Sequence, residues 1–136
     1  MAIASIDFGK RRIGLAMAYD AHGVVLPLEI IERKSLAKDL ARIAKRLAEL
    51  EVSHVVVGLP LNMDGSEGPQ ARAAMRFAIA LAEASGLRVS LFDERLTSFE
   101  ARERMREVED GRQSRQRVDA IAAAIILESW LASAKR

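Results

Sequence analysis

Ile3-Ala4-Ser5-Ile6-Asp7-Phe8-Gly9-Lys10-Arg11-Arg12-Ile13-Gly14-Leu15-Ala16 sets two apolar runs on either side of a short polar turn. Ile3–Phe8 reads as one strand and Ile13–Tyr19 as the next. A turn as short as Gly9-Lys10-Arg11-Arg12 makes them an antiparallel hairpin, because a parallel pair needs a crossover of a dozen or more residues. Asp7 closes the first run. A carboxylate in apolar surroundings is costly unless it is paired, hydrogen-bonded or bound to a metal. Its place here is the first sign of a site.

Outward from the hairpin, Val24–Ile31 reads as a third strand, and Pro27 puts it at an edge. Ser35 caps a helix in which Leu36, Leu40, Ile43, Leu47 and Leu50 recur at helical spacing. Ser53–Gly58 is a continuous apolar strand of the kind buried on both faces. Leu59–Gly68 is a loop with the turn signal Asp64-Gly65. Gln70–Ser85 is a helix ended by Gly86, and Arg88–Phe92 is the last strand. Thr97-Ser98-Phe99-Glu100 reads as a capping box opening a helix to about Val108. An arginine-rich loop and a final helix, Arg117–Ser133, complete the chain. The order β-β-β-α-β-α-β-α-α predicts an α/β fold with a mixed five-stranded sheet and helices on both faces. Right-handed crossovers limit the parallel part to strands one, four and five. Residues 1–136 suit one domain.

Composition narrows the function. Apolar residues are 50% and charged residues 29%, as in ordinary soluble proteins. There are no cysteines, which excludes thiol catalysis and thiolate zinc sites. No apolar stretch is long enough to span a bilayer. Asp7 and Lys10-Arg11-Arg12 break any signal-peptide pattern, so a cytoplasmic protein without membrane contact is expected. The net charge of +2 is small, but cations cluster at Lys10-Arg11-Arg12 and at Arg112, Arg115 and Arg117.

Two further acids sit where apolar residues dominate. Glu94 follows the run Leu87 to Phe92, and Asp119 lies within Val118 to Leu127. Asp7 and Glu94 fall at the carboxyl ends of parallel strands, the edge at which such sheets bind ligands. Asp119 shares a helical stripe with Ala122, Ala123, Ile126 and Trp130, which turns it toward the core. Singly, each has a plain structural reading: a turn residue, a partner for Arg95, a first-turn acid favoured by the helix dipole. Together they converge on one edge. Two carboxylates about 4 Å apart repel by about 4 kcal/mol at an effective dielectric near 20. A pair of Mg²⁺ or Mn²⁺ ions removes that repulsion and supplies two-metal phosphoryl chemistry.

Four segments carry a resemblance: Asp7-Phe8-Gly9-Lys10-Arg11-Arg12-Ile13-Gly14-Leu15-Ala16, Gly58-Leu59-Pro60-Leu61-Asn62-Met63-Asp64-Gly65, Asp93-Glu94-Arg95-Leu96-Thr97-Ser98 and Val118-Asp119-Ala120-Ile121-Ala122-Ala123. In this order they resemble the YqgF/RuvX family of pre-16S rRNA nucleases, also called Holliday junction resolvase-like proteins, of the ribonuclease H-like superfamily. The resemblance covers nearly the whole chain. It implies that Asp7, Glu94 and Asp119 are the catalytic acids and metal ligands. Asp93 belongs to the same motif, but strand alternation turns it away, so a structural role is expected. Ser98 stands where a second threonine is common.

Substrate contacts are expected from Lys10, Arg11, Arg12, Asn62, Arg72, Arg95, Arg112, Arg115 and Arg117; the plain alternatives are a solvated turn, helix face or loop for the other arginines and orientation of Glu94 for Arg95. With aromatics at 4%, no base-stacking platform is expected. The resemblance implies a nuclease that processes the 5′ end of precursor 16S rRNA, acting on structured RNA or a pre-ribosomal particle. Resolution of branched DNA, which needs a homodimer, is the alternative within the same chemistry. A non-catalytic RNA-binding assembly factor is the alternative of another class. The sequence leaves open both RNA against DNA and monomer against homodimer.

Overall fold

The structure is a computed structural model that describes residues 1–103 and 115–134, with residues 115–119 described by backbone alone. Its elements are β1 (Ala2–Phe8), β2 (Arg12–Ala18), β3 (Leu26–Glu32), α1 (Leu36–Glu49), β4 (Val52–Leu59), α2 (Pro69–Ser85), β5 (Arg88–Asp93), a 3-10 turn (Glu94–Leu96) and α3 (Arg115–Ala134). A further helix starts at residue 99 and is described through 103. The sheet order is β3-β2-β1-β4-β5. β1–β2 and β2–β3 are antiparallel; β1–β4 and β4–β5 are parallel. This is the expected mixed sheet.

Alternation along β1 sorts the molecule into two sides. Ala4, Ile6 and Phe8 join Ile43 and Leu47 of α1 and Phe77 and Leu81 of α2 in a core of large side chains. The ring of Phe8 stacks on Phe77, with centroids 4.4 Å apart. Burying a side chain of that size contributes about 1.5–3 kcal/mol, so this side supplies most of the drive to fold. The opposite side is lined with small residues. Ala16 and Ala18 of β2 meet Ala123, Ala124 and Leu127 of α3, which lets the helix approach closely. There the buried Ser5 hydroxyl donates to the Ala123 carbonyl at 2.6 Å, fixing α3 along β1.

Local departures from expectation have simple causes. β3 is an edge strand as Pro27 suggests, but it spans Leu26–Glu32, and its register shifts between Leu15 and Ala16 where proline lacks an N–H to offer. The capping box is absent. Ser98 caps the helix, its hydroxyl accepting from Ala101 N at 3.0 Å, while the Thr97 hydroxyl donates to the Glu94 carbonyl at 3.0 Å. α3 is already helical at Arg115, two residues before the expected Arg117, in keeping with arginine and glutamine as good helix formers. Asp119 therefore lies beyond the first turn, where the helix dipole has largely lost its hold.

Candidate active site

Asp7 lies one residue from the end of β1, opposite Gly14 of β2. Its parity with Ser5 places it on the α3 side. The chain beyond it is tightly held. Gln70 Nε2 donates to the Phe8 carbonyl at 2.6 Å, and Gly9 N to the Arg12 carbonyl at 2.9 Å. Arg33 lies 4.2 Å over the Phe8 ring and donates from Nη1 to the Gly9 and Lys10 carbonyls, each at 3.2 Å. Its Nε stands 3.8 Å from the buried Asp39 carboxylate. Neither Arg33 nor Gln70 belongs to any motif, so sequence reading passes over both.

Glu94 opens the 3-10 turn directly after β5. Its carboxylate folds back over bare backbone. A Cβ at Gly58 would stand 3.0 Å from Glu94 Oε2 and 2.5 Å from Ile126 Cδ1 of α3. The glycine of the Gly58-Leu59-Pro60 motif is thus what leaves room for the acid, as its freedom for close approach suggests. Burial foremost, then the negative charges of Asp7 and Asp93, push the Glu94 carboxyl up to about 7. Burial and a second carboxylate both disfavour the charged form of this acid.

The neighbouring cation does not relieve it. Arg95 turns to Asp93, with Nη2 to Oδ2 at 2.8 Å and Nε 3.1 Å from each oxygen. This pairing holds Asp93 below its usual carboxylate range. Asp93 also accepts Arg95 N at 2.9 Å as cap of the turn. Arg95 reaches on to the Met63 carbonyl at 3.3 Å, tying the loop after β4 to the turn that carries Glu94.

The backbone of Asp119 lies one helical turn before Ala123, the residue that receives the Ser5 hydroxyl. That places its position along the same side of β1, in the direction of Asp7. Its side chain lies outside the described residues, as do Arg112 and the side chains of Arg115 and Arg117. Among the described residues no set of three metal-ligating side chains gathers; Asp7 and Glu94 are the described part of the expected set.

The remaining expected contacts divide. Lys10 and Arg11 are exposed on the turn after Asp7, and Arg12 starts β2. Asn62 is exposed and bonded within its own loop: its N–H donates to the Ser66 carbonyl at 2.9 Å, its carbonyl accepts Gly65 N at 2.8 Å, and its Nδ2 donates to Ser66 Oγ at 3.0 Å. Gly65 takes a φ of 88° there, a left-handed conformation suited to glycine. Arg72, in the first turn of α2, donates to the Glu67 carbonyl at 2.8 Å and is otherwise exposed.

Known proteins resemble this chain along its length. A family model described as RuvX, Holliday junction resolvase, matches residues 1–133. A protein of Anaeromyxobacter sp. (strain Fw109-5) named "Putative pre-16S rRNA nuclease" is 52% identical over 132 residues, covering 96% of each chain. One of the same name from Myxococcus xanthus (strain DK1622) is 42% identical, covering 96% of this chain and 87% of the relative. Among solved structures, Thermus thermophilus RuvC in complex with a Holliday junction substrate matches with a TM-score of 0.70 at 14% identity, over 99% of this chain and 96% of that one. The fowlpox virus Holliday junction resolvase matches with a TM-score of 0.59 at 17% identity, over 98% and 99%. At such identities the structural likeness is one of fold.

Proposed function

Because the chain belongs to the RuvX family and has the ribonuclease H-like fold, we propose that it is a divalent-metal-dependent nuclease acting on the 5′ end of precursor 16S rRNA. The observation that carries this reading is the Asp7–Glu94 pair. Burial and the charge of Asp7 raise Glu94 to about 7, and the adjacent Arg95 is held by Asp93. A bound cation inverts this local pKa logic, favouring the charged carboxylates that burial and mutual repulsion disfavour.

The donor set fits the group. It is all carboxylate oxygen, the chemistry that selects Mg²⁺ or Mn²⁺ over softer ions. Asp7 and Glu94 would hold the metal, with Asp119 joining from α3. Bound there, a pair of ions supplies an activated water and neutralises the charge that develops on the phosphate. The chain's own residues do the rest. Gly58 leaves the space in which Glu94 lies. Lys10, Arg11, Arg12 and Arg72, with Arg112, Arg115 and Arg117, are positioned by the reading to neutralise backbone phosphates, contacts that give affinity without sequence readout. Arg95 and Asn62, both exposed, also hold the loop after β4 in shape and belong to the same phosphate-facing set. Work on a pre-ribosomal particle in the cytoplasm belongs to the same reading.

The family's description, Holliday junction resolvase, carries one second reading, resolution of four-way DNA, which requires two sites and hence a homodimer. Calorimetric titration of Mg²⁺ and Mn²⁺ into wild type and Asp7→Asn tests the shared metal chemistry. Wild type should bind with release of protons near pH 7, and Asp7→Asn should bind at least about tenfold more weakly. Equal binding by both would remove Asp7 from the site. Absent binding by wild type would favour a non-catalytic RNA-binding role.

A further inference from the structure

The outer face of α1 carries charge of one sign. Between Lys34 and Ala48 every exposed charged side chain is a cation: Lys34, Lys38, Arg42 and Lys45. The acids of this stretch are elsewhere, Asp39 being buried and Glu49 closing the helix. Arg46, the remaining cation, pairs with Glu29. Among the described residues, none of the four exposed side chains has a hydrogen bond or an ion pair.

This pattern works against the helix. Within the helix, Lys38, Arg42 and Lys45 follow one another at intervals of four and three, where like charges repel. Lys34 and Lys38 also crowd the end of the helix at which the dipole disfavours cations. Ser35 caps that end, accepting Lys38 N at 3.2 Å. Lys38 is thus the third helical residue, the position at which a glutamate would complete a capping box. Helix stability asks for an acid there, and the chain has a base.

The ridge joins the active-site edge. β3 runs parallel to β1, so α1 begins beside the end of β1 and runs away from it. Arg33 N donates to the Arg11 carbonyl at 2.8 Å, and Arg33 Nη1 to the Lys10 carbonyl. Lys34 therefore follows directly on the Lys10-Arg11 turn, itself exposed and adjacent to Asp7. From Lys38 to Lys45 the helix advances about 10 Å. One strand of a duplex presents roughly three phosphates over that length.

We propose that the exposed face of α1 is a second nucleic-acid contact, a track for the phosphate backbone that leads from the Lys10-Arg11 turn away from the site. It rests on the nuclease reading for the identity of its ligand, structured RNA extending beyond the scissile bond. The contact reads no sequence and adds affinity and orientation, with no part in the chemistry.

The test separates binding from folding. A labelled 5′ segment of precursor 16S rRNA is titrated in chelator at a series of salt concentrations, with wild type, Lys38→Glu, Arg88→Glu and the triple variant Lys38→Ala, Arg42→Ala, Lys45→Ala. Arg88 is exposed at the start of β5, the opposite edge of the sheet, and matches the change in net charge. Lys38→Glu should melt no lower than wild type, because it completes the cap, yet should bind RNA more weakly with a salt slope lower by about one. The triple variant should lower the slope by about two to three, and Arg88→Glu should leave it unchanged. Equal weakening by Lys38→Glu and Arg88→Glu, a wild-type slope in the triple variant, or binding of the face to anionic vesicles but not to RNA would overturn the proposal. Binding in chelator needs no cleavage. A wild type that binds through α1 and cuts nothing sinks the nuclease reading and keeps the track; one that cuts with KM unmoved by the triple variant does the reverse.

Discussion

Asp93 and Glu94 are adjacent in the chain and opposite in electrostatics. Asp93 is held below its usual carboxylate range by Arg95, while burial and Asp7 raise Glu94 to about 7. Strand alternation is enough to separate the two from sequence. It is not enough to say which of two neighbouring carboxylates Arg95 chooses, because that depends on the tight turn Asp93 caps. Glu94 gives a pH signature. Its folded pKa lies above the ordinary value of about 4.3, so the folded state binds the extra proton between about pH 4.5 and 7. Its favourable contribution is complete below that window and lost as pH rises through about 7. With metal removed, Glu94→Gln should therefore raise the melting temperature at pH 8, by a gain of at most about 3 kcal/mol, and the gain should fade by pH 5. Thermal melts in chelator check this. A Glu94→Gln effect independent of pH would mean that the carboxyl is not strained in the folded protein.

At the scale of elements, the site depends on how closely α3 and β4 approach each other. A Cβ on Gly58 in β4 would meet Ile126 Cδ1 at 2.5 Å and crowd Glu94 Oε2 at 3.0 Å. Gly58→Ala meets the far ends of two side chains that can move, so its stability cost should be modest, about 1–2 kcal/mol as for mild overpacking. Moving Glu94 should cost far more in function, with cleavage falling at least about tenfold and metal affinity falling with it. Chemical denaturation beside cleavage assays checks the split; a loss of activity no larger than the loss of folded protein would show Gly58 to be a packing residue only. The elements themselves were largely legible, because the period of two in β1 and the leucine spacing of α1 are strong signals. Their ends were not. Ser98 rather than Thr97 caps its helix, since either hydroxyl suits a cap and the 3-10 turn before it claims Thr97.

At the scale of the molecule, topology does what motifs alone cannot. The parallel arrangement of β1, β4 and β5 brings residues 7, 58 and 94 to one edge, and the Ser5 hydroxyl sets α3 beside them. This convergence follows from the order of elements, so it can be read before any coordinates. The support beneath it cannot. Arg33, just past β3, and Gln70 of α2 hold the turn after Asp7, and nothing in their sequence neighbourhoods marks them. The central claim is that this edge cuts nucleic acid with the help of a divalent cation. It is tested most directly by cleavage of two labelled substrates, a 5′ segment of precursor 16S rRNA and a four-way DNA junction, with wild type and Asp7→Asn in Mg²⁺, Mn²⁺ and chelator. The expected result is metal-dependent cutting of the RNA by wild type and none by Asp7→Asn, whose fold is intact. Cutting by Asp7→Asn at the wild-type rate, or cutting by wild type that persists in chelator, would contradict it.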